Sequence, residues 1–366
     1  MARLVVENLC KGWDFPVIDD LSITVEEGEF FVIVGPSGIG KTTLLRLIAG
    51  LEAPDQGRIL AGETDITRLP PYRRRVAMTF ESYALYPHMT VAQNIASPLK
   101  ARGTPKADID RRVKEVTTLL RIDHLLDRRP GEVSGGQKQR TALGRTLVAD
   151  PEVFLLDEPI SHLDAKIRHD LRRQFHTLED LRKVATVYVT HDYAEALSLG
   201  DRIGVMGNGG RLTQVGAARE LFEHPATLFV AEHLGQPTIN VIHAEFTEDA
   251  GTLYVRSGDL SLPVPDEDRA KLNGHTQRRV TVGLRPQHLR PEDELPGGTP
   301  LPGTVDLYEA LGSTGVMIAL VNGVKLTALT HPERFFGHGE SVTLSLATSG
   351  LHYFDPDTGA NLLKAP

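Results

Sequence analysis

A single cysteine, Cys10, and a single tryptophan, Trp13, occur among 366 residues. One thiol excludes any intramolecular disulfide, and with it the disulfide-stapled folds of small secreted domains; a reducing compartment is expected. No apolar run approaches the roughly 20 residues that a membrane-spanning helix needs. The opening Met1-Ala2-Arg3-Leu4-Val5-Val6-Glu7 is too short and too charged for a signal peptide. An excess of basic charge is also missing: 40 Lys and Arg against 48 Asp and Glu leave a formal charge of −8, which argues against general nucleic-acid affinity. The cluster Arg73-Arg74-Arg75 sits amid apolar residues and is expected to be a solvated turn rather than a DNA patch. These absences describe a soluble, intracellular chain, which other subunits would have to hold at a membrane. Its length fits two domains, and 40% hydrophobic residues are enough to fill their cores.

What is present begins with Gly35-Pro36-Ser37-Gly38-Ile39-Gly40-Lys41-Thr42, the spacing G-x-x-x-x-G-K-[ST] of a phosphate-binding loop. Phe30-Phe31-Val32-Ile33-Val34 before it suits a buried strand, and Thr43 to Gly50 after it has helical apolar spacing closed by glycine. Glycines let backbone N–H groups close around an anion, and the helix start adds partial positive charge. Lys41 can reach the β- and γ-phosphates, and Thr42 can offer its hydroxyl to Mg²⁺. Val153-Phe154-Leu155-Leu156-Asp157-Glu158 is a buried-strand pattern ending in acids. Asp157 is the expected metal-side carboxylate and Glu158 the expected general base on water. Ser134-Gly135-Gly136-Gln137 reads as a capping box that starts a helix, and a glycine-rich helix start also suits a phosphate. Two such sites in one chain make sense if two chains meet head to tail, each giving its Ser-Gly-Gly turn to the other's nucleotide.

Elsewhere, short strands are expected near 3–8, 21–25, 58–62 and 75–80. Helices are expected through 81–150, with Ile109, Val113, Val116, Leu119 and Leu120 at helical spacing. A long amphipathic helix is expected through Ile167, Leu171, Phe175, Leu178 and Leu181, then a strand at 184–190 and a helix at 194–199. This alternation predicts a three-layer α/β domain. After about residue 236 the pattern turns β. Strands are expected at 279–284 and 341–346, and Asn322-Gly323 between two apolar runs predicts a type I′ hairpin. A small β-barrel of the oligomer-binding type is the expected second domain.

Over residues 3–235 the chain resembles the ATP-binding cassette (ABC) ATPases. Val133-Ser134-Gly135-Gly136-Gln137, continued by Gln139, Arg140 and Arg145, is similar to the family's signature sequence. Ser161-His162-Leu163-Asp164 is similar to its D-loop, and Thr190-His191-Asp192 to its switch-histidine segment. The resemblance implies a RecA-like core with a helical subdomain at about 81–150, and a nucleotide-binding domain over 1–235. It also implies ATP and Mg²⁺ as cofactors. It places Trp13 on adenine, Thr43 and Asp164 among the nucleotide contacts, and His191 on the γ-phosphate. One departure is Glu81, where the family carries a glutamine that reaches metal and water. It implies retuned hydrolysis, pairing with a different ATPase chain, or a tolerated exchange.

Within the family, Ser82 to Val91 and Val282 to Leu289 resemble the ATPases of bacterial carbohydrate importers of the maltose and glycerol-3-phosphate kind. Residues 236–366 then correspond to their oligomer-binding-like (TOBE) regulatory domain. Import of a sugar, polyol or glycerol-3-phosphate-like solute is implied. So are a second ATPase chain (identical or not), two transmembrane permease subunits, an extracytoplasmic solute-binding protein acting indirectly, and a place on the cytoplasmic face of the inner membrane. A non-transport ABC ATPase or a nucleotide sensor of low turnover is the alternative. A single cassette with a β-rich tail argues against the former; Glu158 argues for hydrolysis, and Glu81 leaves the latter open.

Overall fold

The computed structural model describes residues 2–161, 163, 165–175, 183–272 and 278–364. The chain divides into two units, Met1–Arg219 and Glu220–Pro366. In the first, β1 (Leu4–Gly12), β2 (Pro16–Val25), β4 (Gln56–Ala61) and β5 (Thr64–Asp65) form an antiparallel sheet in the order β2-β1-β4-β5. A second sheet holds β3 (Phe30–Val34), β6 (Val76–Thr79), β7 (Val153–Asp157), β8 (Ala185–Thr190) and β9 (Arg202–Met206). These run parallel in the order β9-β3-β8-β7-β6, with β10 (Leu212–Gly216) antiparallel beside β9. β3, β7 and β8 are buried along their whole length, as strands covered on both faces must be.

The first helix, α1 (Lys41–Ala49), packs between the sheets. Its Leu44, Leu45 and Ile48 share one core with Leu4, Val6 and Ile23 of the antiparallel sheet and with Ile33, Leu155 and Val187 of the parallel one. Helices α2 (Val91–Ala101), α3 (Lys106–Leu119) and α4 (Gly135–Leu147) follow within the stretch expected to be helical. They pack closely: a side chain at Gly144 would meet Ile95, Val116 and Leu120 at 3.1–3.2 Å. α5 (Ala165–Phe175) and α6 (Tyr193–Leu199) follow β7 and β8. Phe175 of α5 joins Phe30 and Tyr188 in an aromatic cluster. Of the long helix expected here, Leu178 and Leu181 lie outside the described residues.

Arg73-Arg74-Arg75 is not simply a solvated turn. Arg74 is buried. Its guanidinium donates to the carbonyls of Leu47 and Ile48, at the end of α1, and to those of Thr67 and Leu69. A helix end leaves carbonyls without intrahelical partners, and a fixed fork of donors satisfies them.

The second unit is built from two antiparallel five-stranded sheets. One runs β13-β12-β11-β14-β20, from β11 (Asn240–Asp249), β12 (Thr252–Ser257), β13 (Leu260–Pro263), β14 (Arg279–Leu284) and β20 (Leu351–Phe354). The other runs β15-β19-β16-β17-β18, from β15 (Leu289–Pro291), β16 (Thr299–Ala310), β17 (Gly315–Val321), β18 (Val324–Thr330) and β19 (Ser341–Leu346). They enclose one core that includes Val282, Leu284, Met317, Leu344 and Tyr353, as the barrel expectation requires. Asn322 and Gly323 both take positive φ between paired Val321 and Val324, the type I′ geometry. Buried Arg285 ties residues 220–235 to this unit: it stacks on the Phe222 ring at 3.7 Å and donates to the carbonyls of Phe222 and Leu234. Burial lowers its pKa to about 10.

Candidate nucleotide site

The parallel register decides which residues meet. Val34 pairs with Thr190, Asp157 with Val189, and Thr79 with Leu156. Gly35, His191 and Glu158, which come next along their strands, and Glu81, two residues past Thr79, therefore leave the sheet at one edge, the carboxyl ends of the strands where open α/β sheets place ligands. Sequence positions spread over more than half of the first unit converge there.

The loop Gly35–Gly40 joins β3 to α1. Gly40 has φ 112°, and a side chain there would stand 2.8 Å from the Val17 carbonyl. At Gly35 it would stand 2.6 Å from the Met206 carbonyl. Only glycine fits either position, and the loop is drawn tight. Ser37 and Gly38 are exposed at its tip, with Pro36 and Ile39 half-buried beside them. Lys41 is buried, its ammonium donating to the carbonyls of Gly35 (2.8 Å) and Pro36 (2.9 Å). Burial pulls its pKa below the ordinary lysine range, against the charges of Glu158, Asp157 and Glu81.

Thr42 donates its hydroxyl to Asp157 Oδ1 at 3.1 Å, while Thr43 continues α1. The Asp157 backbone N–H donates to Thr79 Oγ1 at 2.9 Å. Asp157 is almost wholly buried, and burial raises its pKa to about 6; the charges of Glu81 and Glu158 act in the same direction, and Thr42 and Lys41 oppose them. Glu81 is exposed, but its charge reaches both Asp157 and Lys41.

Glu158 sits at φ 44°, a conformation that costs a non-glycine residue about 1–3 kcal/mol. It is held there from several sides. Its N–H donates to the Val189 carbonyl at 3.1 Å, and its own carbonyl accepts from Gln139 Nε2 and Ser161 Oγ, both at 3.0 Å. Its carboxylate lies 2.8 Å from His191 Nδ1. The general-base candidate and the switch-histidine candidate are thus a hydrogen-bonded pair.

Trp13 lies in the turn between β1 and β2, 59% exposed, with the Lys11 ammonium 5.3 Å from its ring. Asp55 pins that turn, bonding Lys11 Nζ and the Gly12 N–H. Ser134-Gly135-Gly136-Gln137 forms the first turn of α4 through both halves of a capping box. Ser134 and Gly135 are exposed, so this turn faces outward. His162 and Asp164 lie outside the described residues.

Two family models match the second unit: the MalK OB fold domain over residues 235–289 and the TOBE domain over 282–354. The ABC transporter model matches residues 18–161. The sn-glycerol-3-phosphate import ATP-binding protein UgpC of Escherichia coli is 42% identical over 362 residues, covering 98% of this chain and 99% of that protein. The chain belongs to the ABC transporter ATP-binding proteins. Another family member, UgpC of Ruegeria sp., is 42% identical over the full length of both chains. An uncharacterized ABC transporter ATP-binding protein of Sinorhizobium fredii, y4oS, is 41% identical over 99% of this chain. A solved ATP-binding cassette, dimeric with ADP and phosphate, superposes on 59% of this chain and 99% of its own, with TM-score 0.55 and 26% identity. This ABC protein is accordingly an ATP-binding ATPase subunit of the importer type.

Three structural residues of the site escaped sequence reasoning. Asn94 is fully buried in α2, where it accepts from the Tyr86 N–H and donates to the carbonyls of Tyr86, Met89 and Thr90. Thr79 supports Asp157. Glu195 bonds the hydroxyl of Thr190, the residue before His191. A polar residue on an apolar helix stripe was the available signal for Asn94; Thr79 and Glu195 had none.

Proposed function

We propose that this chain powers uptake of sn-glycerol-3-phosphate or a closely similar polar solute by binding and hydrolysing ATP between two cassettes at the cytoplasmic face of the inner membrane. The observation that carries the reading is the convergence of Lys41, Thr42, Asp157, Glu158 and His191 on one sheet edge, in a chain alignable end to end with glycerol-3-phosphate import proteins.

The loop amides of Gly35–Thr43 and the Lys41 ammonium hold the phosphates. Lys41 exchanges two carbonyl acceptors for phosphate oxygens as the nucleotide enters. The Thr42 hydroxyl and the Asp157 and Glu81 carboxylates are hard oxygen donors that fit Mg²⁺. That ion, when bound, neutralises charge on the terminal phosphates. Glu158 takes the proton of the attacking water, with His191 holding its carboxylate in place and contacting the γ-phosphate. Trp13 stacks on adenine. Ser134-Gly135-Gly136-Gln137 and Asp164 of a facing cassette close over the γ-phosphate, and its loss reopens the pair.

A groove of about 540 Å³ lined by Phe80, Ala84, Tyr86, Pro98 and Arg145 receives a permease subunit. Arg145 fixes its rim, donating to the carbonyls of Tyr83 and Ala84. Two such permeases and an extracytoplasmic solute-binding protein complete the importer.

Uptake of labelled sn-glycerol-3-phosphate by cells with and without this coding sequence tests the solute. Loss of uptake that the wild-type sequence restores and Lys41→Ala does not is the expected result. Undiminished uptake, alongside intact magnesium-dependent ATPase of the purified chain, would remove the solute and leave the enzyme.

A further inference from the structure

Bonded to Thr190, the residue before His191, is a buried carboxylate that neither the hydrolytic steps nor the nucleotide contacts use. Glu195, in α6, is 1% exposed. Its Oε2 accepts from Tyr188 Oη at 2.7 Å and from Thr190 Oγ1 at 2.9 Å, and its Oε1 has no hydrogen-bond partner among the described residues. A buried carboxylate with an orphan oxygen is costly to a fold, and such a cost calls for a compensating role.

Thr190 gives the role a direction. Its hydroxyl donates to Glu195 and accepts from the Asp192 N–H at 2.9 Å. Asp192 Oδ1 in turn accepts from the N–H groups of Ala194 and Glu195, capping α6. The residues on either side of His191 are therefore both fastened, one to the Glu195 side chain and the other to Thr190 and to the helix that carries Glu195. His191 itself is half exposed, and Nδ1 bonded to Glu158 is its one hydrogen-bond partner among the described residues. Apart from that bond, its ring position is set by its backbone.

We propose that Glu195 is a positioning residue for hydrolysis: through the Thr190 hydroxyl it holds the backbone of His191 where the imidazole meets both Glu158 and the γ-phosphate. This rests on His191 acting at the γ-phosphate as read above. Tyr188 shares the same oxygen but points into the aromatic cluster with Phe30 and Phe175, so its bond serves packing rather than the histidine.

The variants separate these roles. Thr190→Val keeps the shape and removes both hydroxyl bonds. Tyr188→Phe keeps the ring and leaves the Thr190 bond intact. Glu195→Gln keeps an oxygen for both hydroxyls and places its amide where Oε1 already lacks a partner. Glu195→Ala removes the acceptor. Steady-state magnesium-ATP hydrolysis by the full-length chain is measured for each, with kcat and KM resolved and thermal stability recorded.

The expected result is a kcat at least tenfold lower in Thr190→Val and Glu195→Ala, with KM within twofold of wild type. Glu195→Gln and Tyr188→Phe should stay within threefold of wild-type kcat. Combining Thr190→Val with Glu195→Ala should cost no more than either alone. If Glu195→Ala does not fold, Thr190→Val and Glu195→Gln still decide. Full kcat in Thr190→Val, with His191→Ala inactive, overturns the inference while leaving the site reading intact. Full kcat in His191→Ala overturns the site reading itself.

Discussion

Replacing Asp157 by asparagine should make the nucleotide-free chain more stable while disabling it. Asp157 is 2% exposed, and its pKa stands at about 6 against an ordinary 3.8, with burial the largest cause. A carboxyl with a raised folded pKa binds more protons when folded than when unfolded. Its stabilising contribution is whole below about pH 4 and is lost as pH climbs through 6. The gap corresponds to about 3 kcal/mol of stability forgone at pH 8, and to about half that at pH 5. Asparagine carries no charge to bury, and its carbonyl oxygen can still accept from Thr42. In a unit of 219 residues, about 3 kcal/mol is a rise in Tm of roughly 6–12 °C. Differential scanning calorimetry of the metal- and nucleotide-free chain at pH 8 and pH 5 reads the effect directly. Asp157→Asn should melt higher at pH 8, with the advantage shrinking at pH 5. Magnesium-ATP should raise wild-type Tm more than it raises the variant's. An unchanged or lower Tm at pH 8 would refute the electrostatic reading of this carboxylate.

Three further outcomes follow from particular contacts. Because Trp13 is the only tryptophan and is largely exposed, ATP should change its fluorescence, and Trp13→Ala should weaken ATP binding roughly 5- to 30-fold, the loss of a 1–2 kcal/mol stacking contact; unchanged emission at saturating ATP would remove it from the base site. Glu81→Gln should raise kcat for hydrolysis by removing a charge that acts on Asp157 and, in the proposed site, on the γ-phosphate; identical ATPase and transport would make Glu81 a neutral exchange. Asn94→Ala should destabilise by about 2–4 kcal/mol in denaturant titration, because four backbone groups of residues 86–90 each lose a bond to its side chain, and should lower transport more than ATPase, since one of them, Tyr86, lines the groove proposed to receive a permease.

The legible parts of this molecule are those coded by neighbours in sequence. The phosphate loop, the strand before it and the helix after it are written in one stretch of about 20 residues, and Asn322-Gly323 specifies its hairpin alone. Val153 to Glu158 needed only an apolar run and two acids. Pairing across the chain was less visible. β2 begins at Pro16, well before the expected 21, because Asp19 and Asp20 interrupt its apolar pattern. The separate antiparallel sheet it joins has no local signal.

Buried charge was the least visible of all. Arg74 resembles its neighbours Arg73 and Arg75 in sequence, and only the fold brings four carbonyls to it. Glu195 reads as an ordinary acid in the first turn of a helix, where one is favoured by the dipole. Its partners sit on the preceding strand and cannot be inferred from spacing. The same holds for His191: its separation from Glu158 hinted at a role, but the 2.8 Å contact depends on parallel pairing of β7 with β8.

The central claim is that ATP is clasped between two cassettes, the exposed Ser134-Gly135-Gly136 turn of one covering the γ-phosphate held by the other. Glu158→Gln should bind magnesium-ATP without turning it over, so the closed pair should accumulate. Its structure, determined in that trapped state, should place the Ser134 hydroxyl and the α4 amides on the partner-bound γ-phosphate. A trapped, ATP-loaded chain that stays monomeric, or a pair whose Ser134 turns face solvent, would contradict it.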